Sequence, residues 1–478
     1  ESGWTAPKAI AYTGAINAQQ TSIKVTEDIA PVSIKTVSGI APPGYIFGGY
    51  EEDQLSFDKP TDVAFGVNGK YSYKSAQSGN FTFITGSFDA DPAPGLRKLG
   101  FYKHPAGSVP TYMVDMGKSM AGWLRISLKG PRGSKVTLRY AESLKPDGNL
   151  EPVDLKSAYQ TDTYILKGGD TEVYEPRFSY HGFRYVEISG ISADITFSVK
   201  GRAVRNDYGI NDISTSSRGM NKILAGVKGA VMANSVAVLT DLSSRDERST
   251  SGGDAYLSAE SNLLNFDMQT FYEKCVADVD FAQTASGMVQ DCSPSYNWPR
   301  FTSVAWISHR VLIPWDLYRA TGDKNMLASH YLKMAQAVDY LISLAPAGYL
   351  GLPNANGDWV PAGATESNQF FADAFFYRNV DLMAQISGVL GKHADSLKYT
   401  AVAKGIKNAF NKEYLKSDSY YGKNTQAGNA VALEFGLVPS VHKDKVLNSL
   451  VETVINNNYH FTTGILGTKA LIEVLWQN

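Results

Sequence analysis

The hydrophobic period of this chain changes once, near residue 210, and that change limits what the chain can fold into. Upstream, apolar and polar residues alternate in Gly122-Trp123-Leu124-Arg125-Ile126-Ser127-Leu128, in Lys135-Val136-Thr137-Leu138-Arg139-Tyr140 and in Arg184-Tyr185-Val186-Glu187-Ile188. Pairs such as Gly130-Pro131 and Gly168-Gly169 punctuate them. Period two between turn signals describes antiparallel strands with one buried face, and a β-sandwich over residues 1–210 is the economical arrangement. Downstream the period is 3.6. Met220, Ile223, Leu224, Val227 and Val231 form one stripe, Leu327, Tyr331, Met334, Val338 and Leu341 another, and Val402, Ile406 and Phe410 a third. About nine helical segments of this kind in residues 211–478 suggest paired helices in a ring or array. No short period repeats, which argues against a solenoid. Chemistry is expected in the loops at one end of the array, where irregular backbone can present polar side chains.

Lys and Arg number 45 against 47 Asp and Glu, so no basic field invites a nucleic acid. Two cysteines, Cys275 and Cys292, exclude a disulfide framework and allow one bridge. No run of 18 apolar residues exists, so no membrane span is expected. The opening Glu1-Ser-Gly-Trp carries no leader; removal of a secretion signal would leave such a chain, and a secreted or periplasmic setting is expected. Asn80-Phe-Thr is a lone glycosylation sequon. The 27 Tyr and 7 Trp suit a protein that stacks sugars on aromatic rings, and equally suit a Tyr-rich sheet.

Three polar loops interrupt the helical half. Residues 240–254, Thr-Asp-Leu-Ser-Ser-Arg-Asp-Glu-Arg-Ser-Thr-Ser-Gly-Gly-Asp, hold four carboxylates and two arginines. Glycosidic cleavage needs a proton donor to the leaving oxygen and a counter-charge for the developing cation, and carboxyl groups supply both. A carboxyl among arginines stays protonated only if buried or beside another carboxylate. A solvated loop ending in a helix cap at Ser251 or Asp254 is the plainer reading. In Asn354-Ala-Asn-Gly-Asp358-Trp359, an Asp beside a Trp can hydrogen-bond a sugar that the ring stacks on, or form a turn beside a buried Trp. The third runs from Asp291 through Trp298 to Trp306-Ile-Ser-His309-Arg310, where a charged pair opens an apolar helix; such pairs are more often interface or capping residues than catalysts. No HExxH spacing, P-loop, dinucleotide fingerprint or Gly-x-Ser-x-Gly occurs, so a zinc site and a nucleophile elbow are unsupported.

These loops, with Lys129-Gly-Pro-Arg-Gly-Ser-Lys135, Pro176-Arg-Phe-Ser-Tyr-His181-Gly, Ile313-Pro-Trp315 and Thr462-Thr-Gly-Ile-Leu-Gly-Thr468, resemble bacterial α-L-rhamnosidases of glycoside hydrolase family 78 over most of residues 110–478. The resemblance implies a β-sandwich followed by an (α/α)6 barrel with a sugar pocket at one end. It makes Glu247 the general acid, puts Asp241, Arg245 and Asp246 around it, and adds Asp254, Asp291, Trp306, Asp358 and Trp359 to the pocket. Extra β-like sequence at about 40–110 brings His104.

The chain departs from the family pattern where Leu-Gly-Trp-Thr becomes Ser249-Thr250-Ser251-Gly252 and where Trp-Gly-Asp-Ala becomes Trp306-Ile307-Ser308-His309. It also reaches Asn478 before the segment that supplies the family's general base, so the barrel is expected to lack its last part. The fold is similar to that of polysaccharide lyase family 27, which releases rhamnose from rhamnosyl-α-1,4-glucuronate by β-elimination. Elimination needs the uronate neutralised by Arg or by a metal such as Ca²⁺, and a base such as His. A lost Asp and Trp and a gained His309-Arg310 favour the lyase, with His309, Arg310 or His104 in the mechanism and Ca²⁺ as candidate cofactor. The alternative is an inverting hydrolytic rhamnosidase, with a non-catalytic rhamnose binder third. In each, the expected partner is an oligosaccharide or polysaccharide with terminal rhamnose.

Overall fold

The computed structural model describes residues 22–37, 45–46, 63–65, 70–74, 83–87, 101–102, 111–146, 148–151, 155, 158–245, 248, 250–294, 303–352 and 356–478. Two strands, β1 (Ile23–Ile29) and β2 (Ser33–Val37), open the sheet domain. Five short strands follow: β3 (Tyr45–Ile46), β4 (Val63–Phe65), β5 (Lys70–Lys74), β6 (Phe83–Ser87) and β7 (Phe101–Tyr102). β3 pairs with β7 and β4–β5–β6 form a separate small sheet.

The principal sheet is antiparallel and continuous, built from β1, β2, β8 (Thr111–Lys129), β9 (Lys135–Ala141), β10 (Thr161–Ile165), β11 (Glu172–Tyr174), β12 (His181–Ser189) and β13 (Thr196–Asn206). Its 19-residue strand β8 changes neighbours along its length. Residues 111–115 lie between β2 and β12, whereas residues 126–128 lie between β13 and β11. The change falls where the ladder to β12 slips, near Gly117 at φ +79°. The sheet thereby curls over its own core. Val114, Met116, Met120, Leu124, Ile126 and Leu128 of β8 meet Val136, Leu138 and Tyr140 of β9 and Val199 of β13. These are the alternate positions that period two marks, since successive strand side chains point to opposite faces.

The helical domain comes next: α1 (Arg218–Ala233), a small hairpin of β14 (Ser235–Val236) and β15 (Val238–Leu239), then α2 (Gly252–Asn265), α3 (Gln269–Ala282), α4 (Val304–Ile307), α5 (His309–Thr321), α6 (Lys324–Leu344), α7 (Asn368–Val389), α8 (His393–Tyr414), α9 (Gln426–Glu434), α10 (Lys443–Asn456) and α11 (Ile465–Gln477). From α5 onward, deeply buried helices alternate with half-exposed ones. α7 and α9 are buried almost all round, which marks a helix enclosed by others. α6, α8 and α10 each keep one face in solvent. One apolar core joins them all. Cys275 is buried in it on α3 and is not bridged to Cys292. Among the described residues, no helix is long and apolar enough to cross a membrane.

Candidate active site

The acidic loop runs from β15 to α2 and rests on the sheet domain. Its backbone packs directly on Gly182 at the start of β12: a Cβ there would lie 2.4 Å from the Ser244 nitrogen. The Ser244 hydroxyl donates to the Glu142 carboxylate at 2.9 Å. Arg248 donates from Nε to the Ser243 carbonyl at 3.1 Å and from Nη2 to the Tyr180 carbonyl at 2.8 Å. Its guanidinium also lies 4.2 Å over the Tyr180 ring. At the loop's start, the Asp241 carboxylate accepts from the Leu242 N–H at 2.8 Å, a local turn contact.

Both ends of this loop reach one cavity of about 660 Å³, bounded by α1, α2 and α11. Asp241 and Asp254 line it, with Asn234, Asn262, Ser258 and Lys469 as further polar groups and Leu239, Leu257 and Val360 as apolar wall. Concave, largely apolar surface with a few convergent polar groups is the ordinary form of a small-ligand site. The loop motif marks the two aspartates. Lys469 and the asparagines carry no such signal, because they lie on helices that read only as core and surface.

An aromatic pair stands beside it. Trp306 and Trp359 meet edge to face with ring centroids 6.3 Å apart; Trp306 is buried, whereas Trp359 is 53% exposed. The Trp306 indole donates to the Ser251 hydroxyl at 3.0 Å, so Ser251 orients that ring. Gly253 is required here, because a Cβ would stand 2.8–2.9 Å from the Trp306 ring.

Trp359 is held through its neighbour Asp358. The buried Asp358 carboxylate accepts from the Gly464 N–H at 2.7 Å and the Gly467 N–H at 2.9 Å, at the N-terminus of α11. Burial raises its pKa and these backbone donors oppose the rise. A carboxylate at a helix N-terminus meets unsatisfied N–H groups and the positive end of the helix dipole. Asp358 therefore clamps the Trp359 loop to the start of α11. Beyond it the Trp359 carbonyl accepts from Ile465 at 3.0 Å and Gly363 donates to the Thr462 carbonyl at 3.0 Å. Between these anchors Val360 is held at φ +53°, a strained conformation for a β-branched residue.

Asp291 is buried beneath the loop; its carbonyl accepts from Gly252 at 2.7 Å and its carboxylate from the Ser303 N–H at 3.4 Å. Arg245 is half-buried in the loop. His104, Asp246 and Glu247 lie outside the described residues.

His309 and Arg310 stand elsewhere. The His309 Nδ1 donates to the Trp306 carbonyl at 2.7 Å, and burial, reinforced by the Arg310 charge, pulls the imidazole pKa down to about 4. Arg310 is 1% exposed and ion-paired with Asp280 of α3, which also binds His330 of α6. Both side chains border a separate cavity of only about 10 Å³, with Thr250 and Ser293. A buried guanidinium already matched by the Asp280 carboxylate is poorly placed to neutralise a uronate, so the elimination roles expected of this pair lack geometric support. Among the described residues no cluster of three or more His, Cys, Asp or Glu side chains is arranged to hold a metal ion.

Comparison with known proteins decides the family. The bacterial alpha-L-rhamnosidase 6 hairpin glycosidase domain matches residues 210–478, and the bacterial alpha-L-rhamnosidase concanavalin-like domain matches residues 108–205. The chain belongs to the bacterial α-L-rhamnosidase family. An α-L-rhamnosidase of Streptomyces avermitilis is 33% identical over 366 residues, which cover 76% of this chain and 35% of that protein. The solved structure of an α-L-rhamnosidase from Dictyoglumus thermophilum superposes with a TM-score of 0.72 at 35% identity, covering 77% of this chain and 42% of that one. The Streptomyces avermitilis α-L-rhamnosidase complexed with L-rhamnose gives 0.74 at 28% identity, covering 85% and 45%. This member of the rhamnosidase family thus spans less than half the length of these relatives. Their names favour the hydrolytic alternative over elimination.

Proposed function

We propose that the protein hydrolyses terminal α-L-rhamnosides, on a scaffold of β-sandwich and (α/α)6-barrel type. The observation that carries this reading is the cavity of about 660 Å³ lined by Asp241 and Asp254, from the two ends of the acidic loop, in a chain of the rhamnosidase family. Glu247 is the proton donor to the leaving oxygen, the role that its match to the family's general acid in Arg245-Asp246-Glu247-Arg248 implies. Asp241 and Asp254 present negative charge where the sugar's anomeric carbon becomes cationic, and Trp359 offers a ring face to the sugar. A terminal rhamnose on an oligosaccharide or polysaccharide outside the cytoplasm is the expected substrate.

The test offers the protein an aryl α-L-rhamnoside and, separately, a rhamnosyl-glucuronate such as gum arabic. Hydrolysis predicts rhamnose from the aryl glycoside, no unsaturated-uronate absorbance from gum arabic, and a loss of about 10²–10⁴-fold in kcat for Glu247→Gln on an unactivated rhamnoside. Unsaturated uronate formed from gum arabic, with the aryl glycoside untouched, would overturn the reading in favour of elimination.

A further inference from the structure

We infer that the sheet domain is part of the catalytic apparatus, because Arg248 is a positioning residue braced by a buried hydrogen-bonded relay running through Gln160, His181 and Asp162. The inference rests on the reading of Glu247, its neighbour in sequence, as the acid.

The relay starts in the core of the principal sheet. Asp162, Gln160 and His181 are all buried. The Tyr140 hydroxyl donates to Asp162 Oδ2 at 2.9 Å, and His181 Nε2 lies 3.1 Å from the same oxygen. The Tyr140 and His181 rings stack with centroids 4.1 Å apart. Gln160 Nε2 donates to the Gly182 carbonyl at 2.9 Å, which settles the amide's orientation and leaves Oε1 as an acceptor. That oxygen faces His181 Nδ1 at 2.9 Å and Arg248 Nη2 at 3.5 Å. Both nitrogens of His181 therefore lie within hydrogen-bond reach of a side-chain oxygen. His181 thus ties Asp162 to Gln160, and Gln160 with Tyr180 fixes Arg248.

Arg248 needs that support. It sits at φ +41°, in the left-handed region that a non-glycine residue seldom occupies unless its surroundings hold it there. Strain of this kind concentrates at functional sites, and here it falls in the loop whose two ends line the cavity. Beside the Ser243 carbonyl within the loop, the contacts that hold the conformation reach it from the other domain: the Tyr180 carbonyl, the Tyr180 ring and the Gln160 amide. Proton donation tolerates little misplacement, since about 1 Å can cost about 10²-fold in rate.

The experiment uses the full-length protein and two rhamnosides, one with a dinitrophenyl leaving group that departs without protonation and one with an alkyl aglycone that cannot. Arg248→Ala should lower kcat on the alkyl rhamnoside by about 10²-fold and on the dinitrophenyl rhamnoside by only a few-fold, with KM little changed. Gln160→Leu should show the same selectivity, and the double variant should be no worse than Arg248→Ala alone, because the two act as one unit. Gln160→Glu keeps the acceptor for Arg248 but loses the donor to the Gly182 carbonyl, so it should restore part of the activity. Hydrogen exchange in residues 241–254 should quicken in Arg248→Ala and Gln160→Leu while α7 is unchanged. Equal losses on both substrates, additive losses in the double variant, or unchanged loop exchange would overturn the proposal. Glu247→Gln is the separate control. If it lacks leaving-group selectivity, the acid assignment fails, while loop exchange and the double variant still judge the bracing.

Discussion

Replacing Asp280 and replacing Arg310 should have very different consequences, although they are two halves of one ion pair. Arg310 is 1% exposed and has Asp280 as its carboxylate partner, with the Val276 carbonyl 3.5 Å from Nη1. Its Nε and Nη2 have no partner among the described residues. Asp280 keeps a second partner in His330 and is partly exposed. Asp280→Ala strands a guanidinium in the core, and breaking a buried pair this way typically costs about 3–5 kcal/mol. Arg310→Met fills similar volume, leaves Asp280 paired with His330, and removes two buried polar groups that each carry a penalty of about 1–3 kcal/mol when unmatched. Those effects oppose the loss of the pair, so Arg310→Met should fall within about 2 kcal/mol of the parent protein. Urea denaturation followed by helical circular dichroism measures both differences, provided that m is unchanged. Equal destabilisation by the two variants, or a larger cost for Arg310→Met, would refute the reasoning. Rhamnoside hydrolysis should survive in Arg310→Met, as it should not if the guanidinium bound substrate.

Three further outcomes are expected. Asp316 on α5 is largely covered near Glu260, and desolvation first, then that charge, raise its pKa to about 7. The folded protein therefore holds a proton that the unfolded chain has released above about pH 4, so this group's stabilisation is full below that pH and is lost as pH rises through about 7. Asp316→Asn should flatten that decline, worth at most roughly 4 kcal/mol, in denaturation curves between pH 4 and 8; a parallel pH profile in the variant would remove Asp316 as its source. Gly253→Ala should push the Trp306 ring aside and raise KM for rhamnosides several-fold, whereas an unchanged KM would separate that ring from binding. Trp359→Ala should raise KM with little effect on kcat, the signature of uniform binding; a fall in kcat alone would contradict a stacking role.

The two-domain plan was readable because each half keeps one period: the inward residues of β8 and β9 are the alternate positions of the sequence. That the strands form one curled sheet was not readable, since it depends on β8 changing neighbours half-way along. The short helices α4 and α9 escape a stripe analysis, and α7, buried nearly all round, has no polar face to set one off. The acidic loop stood out through its density of charge, yet its supports, Glu142, Gln160 and Tyr180, lie 68 to 102 positions away in sequence. His309-Arg310 drew attention as charge entering an apolar helix. A buried ion pair and a substrate contact leave the same trace in sequence, and only the placement of Asp280 and His330 on α3 and α6 separates them. The clamp at Asp358 was hidden for a similar reason, because the backbone donors it serves lie 106 and 109 residues further on.

That long-range attachment bears on protein engineering. A chimera that borrows the tryptophan-bearing turn at 357–363 from another family member imports half a fastener, whose other half is the stretch 462–467. Exchanged together, the two stretches move as a cassette and carry their geometry with them; exchanged singly, the turn would arrive with its aromatic ring unaimed.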